Sequence, residues 1–266
     1  MNYFKKIIKG ILGYLNKVFL FPIGLNPVSI YQNIIGIAPF IRDLFTYNSL
    51  ADSQNQFPLN IKKLSPCLND RYDNAGVASG AYFHQDLWMA KKIFRANPSI
   101  HWDIGSRVDG FIAHLLTFRS VNVIDFRELK SELDGLTFQQ GDVTNLKIES
   151  NSIESLSCLH AMEHVGLGRY GDELDPIGYL KGMKELERIL KPGGRLYFSV
   201  PIGKQRLEFN SQRVFNSSTV LNIFSGMKLV EFAAVDDIGK LIDPSKPEDF
   251  ESSYCSCGLF VFEKLN

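Results

Sequence analysis

Aspartate residues stand at the ends of three successive apolar stretches in the middle of the chain. Asp103 comes near the end of SIHWDIG and precedes Gly105, Asp125 comes near the end of SVNVIDF, and Asp142 ends LTFQQGD. A carboxylate can accept hydrogen bonds from both hydroxyl groups of a ribose, or from the amine of an adenine. Glycine lets the backbone turn sharply and approach a ligand closely. A single such aspartate is usually a helix cap or a turn residue, but three in this order favour a nucleoside site.

His160, Glu163 and His164 form a second candidate group, spaced as His-x-x-Glu-His at the end of the apolar stretch SIESLSCLH. Inverted zinc peptidases share this spacing, but their zinc needs both histidines on one face of a long helix. The glycine-rich segment that follows opposes such a helix, so we predict no metal site. Because histidine titrates near neutral pH, these three residues are candidate catalytic groups that remove a proton from an acceptor hydroxyl. The alternative is that they only bind a cofactor and shape the loop.

The segment GLGRYGDELDP, residues 166–176, is long, polar and rich in glycine, as loops at active sites often are. Arg169, Tyr170 and Asp172 are the side chains of this loop that we expect to receive a substrate. The alternative is that these three residues hold one another in place.

An alternation of strands and helices must position these residues. Apolar stretches predict seven strands, at residues 99–105, 120–126, 136–142, 152–160, 195–201, 227–236 and 257–265. Helical spacing predicts helices at residues 82–94, 108–117, about 176–190 and about 217–224. Such repeats predict an α/β fold, a doubly wound, mainly parallel seven-stranded sheet with helices on both faces. Ligands of these sheets bind beyond the carboxyl ends of the strands, where the aspartates stand.

The order Asp-x-Gly, Asp, Gly-Asp and Lys-Pro-Gly-Gly, the last at residues 191–194, resembles the class I, Rossmann-like S-adenosylmethionine-dependent methyltransferases over residues 83–265. The strings YFHQDLW, HWDIGSR and HAMEHVGLGRYGDELDP look like an uncharacterised branch, catalogued only as a domain of unknown function. The resemblance implies S-adenosylmethionine as cofactor and methyl transfer to an oxygen or nitrogen acceptor. The cofactor-binding residues that it implies are Asp103, Gly105, Ser106, Arg107, Asp125, Phe126, Asp142, Val143 and His160.

The first loop departs from the pattern of that family, which is Asp/Glu-x-Gly-x-Gly-x-Gly. Arg107 and Asp109 replace the second and third glycines, and Arg107 pairs either with the cofactor carboxylate or simply with Asp109. The departure leaves open a non-catalytic nucleotide-binding or scaffold module on a decayed methyltransferase fold. An NAD-dependent Rossmann enzyme is a further alternative, but its Gly-x-Gly-x-x-Gly pattern is absent from the first loop.

The first 21 residues, MNYFKKIIKGILGYLNKVFLF, predict a basic amphipathic helix, with apolar side chains on one side and four lysines on the other. Such a helix suits the surface of an anionic membrane, and the alternative is that it packs on the domain or on a second subunit. Residues 22–66 contain five prolines and predict an irregular segment with short helices. We therefore expect residues 1–66 to be an extension of a methyltransferase-like domain at residues 67–266.

The charge of the chain is uneven, because residues 1–42 hold five basic and no acidic residues, and residues 43–266 hold 24 basic against 29 acidic. This mildly acidic body lacks the basic stripe typical of nucleic-acid binding, so we expect no nucleic-acid partner. The four cysteines lack the spacing of a disulfide framework or a zinc site, so we expect reduced thiols. Together these features predict a cytoplasmic, membrane-associated enzyme whose small-molecule acceptor is a glycan or lipid-linked precursor.

Overall fold

The computed structural model describes residue 24 and residues 26–51, 55–72 and 74–265. The chain divides into two compact units, Met1–Val77 and Ala78–Asn266. The boundary that the sequence predicts between residues 66 and 67 lies inside the first of these units. The amphipathic helix predicted for the first 21 residues lies outside the described residues, so it stays a prediction.

In the first unit, residues Pro27–Leu50 form one long helix, α1, where the sequence predicts short helices in an irregular segment. The helix begins cleanly because Asn26 Oδ1 accepts hydrogen bonds from Val28 N at 3.0 Å and Ser29 N at 3.4 Å. The proline at its first position lacks only an N–H that would have no partner in the helix. None of the helices in the described part of the chain is both long and apolar enough to cross a membrane.

The second unit contains the predicted alternation of strands and helices. Its helices are α2 (Ala81–Ala96), α3 (Ala113–Leu116), α4 (Gly178–Ile189) and α5 (Ser217–Ile223). Its strands are β1 (His101–Ile104), β2 (Val121–Asp125), β3 (Leu136–Gln140), β4 (Ile153–Leu159), β5 (Leu190–Ile202), β6 (Arg206–Glu208), β7 (Gln212–Val214), β8 (Met227–Val235), β9 (Leu241–Ile242) and β10 (Ser256–Lys264). A π-helical turn, Val108–Ile112, precedes α3.

Eight of these strands form one sheet, in the order β3-β2-β1-β4-β5-β10-β8-β9. Strands β1 to β5 are parallel, whereas β10 lies antiparallel between β5 and β8, and β9 pairs antiparallel with β8. The predicted α/β fold with a mainly parallel sheet is confirmed, but the sheet has eight strands rather than seven. The additional strand, β9, has two residues, too few for a period of two to show in the sequence.

Apolar layers cover both faces of the sheet, which confirms the doubly wound arrangement. Leu196 and Phe198 of β5 face one layer, which includes Met183 and Leu186 of α4. The intervening Tyr197 faces the other layer, together with the apolar side of α2. Because successive side chains of a strand point to opposite faces, a strand buried on both sides has no polar face.

The Lys-Pro-Gly-Gly segment lies between two paired parts of β5. Leu190 pairs with Ile153 of β4, and Arg195 pairs with Ser155, so four residues of β5 lie opposite a single residue of β4. The predicted turn is thus a bulge that interrupts the strand, and Gly193 has a φ of +72° there. Glycine is the residue that adopts such a backbone conformation without strain.

Candidate functional site

The carboxyl ends of β1, β2 and β3 meet at one edge of the sheet, which we call the rim. Gly105 N, just after β1, donates a hydrogen bond to Ile124 O at 2.9 Å, and Gly141 N, just after β3, donates one to Asp125 O at 3.0 Å. The backbones that carry the predicted nucleoside-binding residues are therefore joined directly. The rim brings together loops that are separated by more than a dozen residues in the sequence.

Gly105 provides the sharp turn that the sequence predicts after β1. Its φ is +77°, and a Cβ at this position would lie 2.8 Å from the Cβ of Ala161. Both observations require glycine, because other residues rarely adopt this φ and real Cβ atoms do not approach so closely. Two residues later, Arg107 donates to both carboxylate oxygens of Asp109, at 3.0 and 2.7 Å, and both side chains are exposed.

Asp103 is fully buried beneath this turn and holds it in place. Its Oδ1 accepts from Ser106 N at 3.0 Å, and its Oδ2 accepts from Ser106 Oγ at 2.7 Å and from Ser157 Oγ. Burial raises the pKa of Asp103 to about 6, although these hydrogen bonds oppose the rise. Its place in the structure is behind the loop, and a direct contact of Asp103 or Ser106 with a cofactor stays a prediction.

Asp125 already has a partner at the end of β2. Arg127 N and Nε donate to its Oδ1 at 2.8 and 2.9 Å, and Arg127 Nη2 donates to its Oδ2 at 2.7 Å. The intervening Phe126 is 44% exposed, which is unusual for a phenylalanine beside a buried strand. The pairing with Arg127 was not predicted from the sequence, although the two residues are only two apart.

Asp142 is exposed after β3, and its Oδ1 accepts from Thr144 N and Thr144 Oγ1, both at 2.8 Å. The half-buried Val143 lies between them. A cavity of about 260 Å³ adjoins Asp142 and is lined also by Ile124 and Gln140 of the neighbouring strand ends. Asp142 thus caps its own turn and at the same time borders an open space at the rim.

His160 follows β4 and has a φ of +49°, which is uncommon for a residue other than glycine. Its Nε2 lies 3.1 Å from Cys257 Sγ, and its Nδ1 lies 3.1 Å from Glu163 Oε1. Burial opposes the charged form of this imidazole, but the sulfur and the carboxylate beside it raise the pKa of His160 well above its usual range. Both ring nitrogens are therefore in contact with protein groups.

Glu163 is fully buried, and its carboxylate faces two imidazoles. Its Oε1 lies 3.1 Å from His160 Nδ1, at hydrogen-bond distance, and 3.5 Å from His164 Nε2. His164 Nδ1 donates to the carbonyl oxygen of Ser211 at 2.7 Å, and burial lowers the pKa of this histidine. The three predicted catalytic residues are thus brought together.

A bend at residue 160 and turns at residues 162–166 replace the long helix that an inverted zinc peptidase needs in this segment. In the part of the chain that the structure describes, no group of three or more His, Cys, Asp or Glu side chains is arranged to hold a metal ion.

The glycine-rich loop at residues 166–176 is ordered by its own side chains. Asp172 Oδ2 accepts from the backbone N–H groups of Gly166 and Gly168, at 2.8 and 3.3 Å. The ring of Tyr170 lies under two guanidinium groups, those of Arg127 at 4.6 Å and Arg169 at 5.2 Å. Through Tyr170 the loop contacts the Asp125–Arg127 pair, so the predicted substrate loop and the predicted ribose carboxylate are neighbours.

The first turns of α2 reach the same site, and the contacts of its Gln85 were not predicted from the sequence. Gln85 Oε1 accepts from Ser199 Oγ at 2.6 Å, and Gln85 Nε2 donates to Asp86 Oδ1 at 2.9 Å. Cys257 Sγ lies 3.8 Å from Gln85 Oε1. Cys257 could have been noticed from the sequence only through its place at the start of the last strand, because an antiparallel strand begins at the edge where its parallel neighbours end.

The family described as "Caenorhabditis protein of unknown function, DUF268" matches residues 113–241, just under half of the chain. No curated protein matches the sequence.

Several solved structures resemble the chain. The 1,6-didemethyltoxoflavin-N1-methyltransferase of Burkholderia thailandensis, solved with 1,6-didemethyltoxoflavin and S-adenosylhomocysteine, is 15% identical with a TM-score of 0.49, over 68% of this chain and 79% of its own. An S-adenosylmethionine-dependent methyltransferase from Clostridium acetobutylicum is 12% identical with a TM-score of 0.48, over 74% and 97%. The [4+2]-cyclase SpnF is 11% identical with a TM-score of 0.48, over 70% and 83%. These likenesses concern the fold, which does not by itself determine the reaction.

Proposed function

We propose that this chain binds S-adenosylmethionine at the rim and transfers its methyl group to an oxygen or nitrogen acceptor. The observation that carries the proposal is the hydrogen bond from Gly141 N to Asp125 O, which joins the ends of β2 and β3. It places the loop of Asp142 beside Asp125, at the edge of the sheet where α/β folds bind their ligands.

The residues at the rim fit the parts of an adenosine. In this proposal Asp125 accepts hydrogen bonds from the ribose hydroxyls. Asp142 accepts a hydrogen bond from the adenine amine, and Val143 N donates one to the adenine ring. The exposed ring of Phe126 offers an apolar surface for the base. The turn at Gly105, which has no room for a Cβ, allows the backbone to approach the methionine part closely.

The bound cofactor would supply an electrophilic methyl group on a positively charged sulfur. Because charge is neutralised as the methyl group moves, alignment of donor and acceptor supplies most of the rate. A hydroxyl acceptor also needs a group to take its proton, and His160, Glu163 and His164 are the candidates at the rim. Arg169, Tyr170 and Asp172 would present the acceptor from the loop beside them.

Calorimetric titration tests the cofactor directly. We expect S-adenosylhomocysteine to bind the purified chain at one site and NAD to give no heat of binding, because the first loop lacks the glycines that admit a pyrophosphate. Binding of NAD but not of S-adenosylhomocysteine would show a nicotinamide-dependent enzyme instead.

A non-catalytic binding module is the second candidate, and two observed ion pairs favour it. Arg127 occupies both oxygens of Asp125, and Arg107 occupies both oxygens of Asp109 in the degenerate loop. A ligand has to displace the first pair before it can use Asp125. A chain that binds S-adenosylhomocysteine, but transfers no labelled methyl group to any extract offered as acceptor, would support this alternative.

We further propose that the acceptor lies at a membrane surface, in a cytoplasmic setting, and is a lipid-linked or glycan precursor. The support is the basic amphipathic pattern of residues 1–21, with lysines opposite an apolar side. We expect the intact chain to pellet with anionic liposomes, and a chain lacking residues 1–21 to stay in solution. Equal and negligible pelleting of both chains would contradict the proposal, and neutral liposomes provide the control for charge.

A further inference from the structure

A thiol, an imidazole and a carboxylate stand in a row at the rim. Cys257 Sγ lies 3.1 Å from His160 Nε2, and the opposite ring nitrogen, Nδ1, lies 3.1 Å from Glu163 Oε1. This is the order of nucleophile, base and orienting group found where a side chain is activated to attack carbon. The three residues come from β10 and from the turn after β4, so the sheet alone brings them together.

The backbone holds the imidazole in place at a cost. His160 N donates to Ser199 O at 3.0 Å, and this residue keeps a φ of +49°. A residue other than glycine in this region is strained, and such strain is often found at functional sites. The ring of Tyr82 packs against the imidazole, with the ring centres 5.4 Å apart, and Tyr82 is itself 54% exposed.

Glu163 provides a second sign that the row is built for more than packing. The residue is fully buried, and its Oε1 faces the imidazoles of His160 at 3.1 Å and His164 at 3.5 Å. A buried carboxylate is costly unless a charge faces it. The imidazole of His160 is the nearest group that can carry that charge, and it gains a proton if the thiol of Cys257 loses one.

A second buried cysteine provides the comparison for Cys257. Cys158 in β4 is fully buried, and burial raises the pKa of its thiol well above the usual value. Cys257 is almost as buried, at 2% exposure, but it has an imidazole at hydrogen-bond distance. The two thiols therefore differ in their partner rather than in their burial.

We propose that Cys257 is a nucleophilic thiol for small, soft carbon electrophiles, with His160 as its base and Glu163 as the group that orients the imidazole. The thiol proton passes to His160 Nε2, and the sulfur forms a bond to the electrophilic carbon. The bond from that carbon to its leaving group breaks, and the leaving group departs with the electron pair. This chemistry does not depend on the cofactor proposed above.

Competitive labelling with iodoacetamide tests the thiol, because the reagent supplies its own electrophilic carbon and iodide leaves. The full chain is treated briefly at neutral pH, quenched and digested, and the labelling rate of each cysteine is measured by mass spectrometry. Because Cys257 and Cys158 are both buried, limited access slows the alkylation of both thiols. We expect Cys257 to react about tenfold faster than Cys158, since only a thiolate is nucleophilic and Cys257 has an imidazole at hydrogen-bond distance.

Two variants and one internal control make the result decisive. In His160→Gln and Glu163→Gln we expect the labelling of Cys257 to fall to the rate of Cys158, while unchanged slow labelling of Cys158 shows that the fold is intact. If a variant exposes Cys158, a second measurement replaces the labelling of that variant. This measurement is the difference in ultraviolet thiolate absorbance between the native chain and Cys257→Ser. Labelling of Cys257 no faster than that of Cys158 in the native chain, or an unchanged rate in folded His160→Gln, would overturn the proposal.

Discussion

Replacement of Asp125 by alanine is expected to weaken the binding of S-adenosylhomocysteine about 100-fold, or roughly 3 kcal/mol. Hydrogen bonds to a charged group contribute about 1.5 to 3 kcal/mol each, and the ribose would lose two. Only 12% of the Asp125 side chain is exposed, so water replaces these bonds poorly. Calorimetric titration of the variant and of the native chain measures the ratio of the two dissociation constants.

Two matched variants separate a binding role from a general effect of charge. Asp134 is an exposed aspartate before β3, at the edge of the sheet opposite the rim, so Asp134→Asn should leave the affinity unchanged. Arg127→Gln removes the competitor for Asp125 and should strengthen binding by up to about fivefold, since an ion pair whose guanidinium is 46% exposed contributes about 0 to 1 kcal/mol. Native affinity in Asp125→Ala would remove the main support for the proposed cofactor site.

The second large effect concerns a buried polar network between β1 and β4. His101 is fully buried, with Nδ1 2.8 Å from Ser155 Oγ and Nε2 2.9 Å from Ser157 Oγ. Ser157 Oγ donates to Asp103, so it accepts from His101 Nε2, and the histidine is neutral with its proton on that nitrogen. The network ends at Asp103, which holds the turn at the rim.

The two ionisable groups of this network respond to pH in opposite directions. Burial lowers the pKa of His101 from 6.5 to about 3, so its contribution to stability is complete above pH 6.5 and is lost as the pH falls toward 3. Burial raises the pKa of Asp103 from 3.8 to about 6, so its contribution is complete below pH 3.8 and is lost as the pH rises through 6.

Single variants should therefore separate effects that partly cancel in the native chain. When the pH falls from about 7 to about 5, His101 lowers the unfolding free energy of the native chain by roughly 2 kcal/mol, and Asp103 raises it by roughly 1 kcal/mol. On this acidification, His101→Gln is expected to gain about 2 kcal/mol of unfolding free energy relative to the native chain, and Asp103→Asn to lose about 1 kcal/mol. Urea unfolding at both pH values measures these differences. The same pH response in His101→Gln as in the native chain would show that His101 is protonated in the folded protein.

Much of the fold could be predicted from the sequence because burial follows a local rule. A stretch such as RLYFSVP is apolar at nearly every position, which indicates a strand covered on both faces, and α2 and α4 each show helical spacing. An aspartate or glycine at the end of such a stretch can also be recognised directly in the sequence. These features predicted the positions of the strands in the chain and the residues of the rim.

The partners of those residues were decided by the tertiary structure. Cys257 meets His160 across 97 residues because β10 inserts antiparallel between β5 and β8, and His101 meets Ser157 across 56 because β1 pairs with β4. The periodicity of side chains within a single strand does not predict which strands become neighbours. Apolar patterning sets which side chains are buried, since burial depends on local alternation, whereas strand order sets which buried polar groups face each other, since it depends on the packing of the whole sheet.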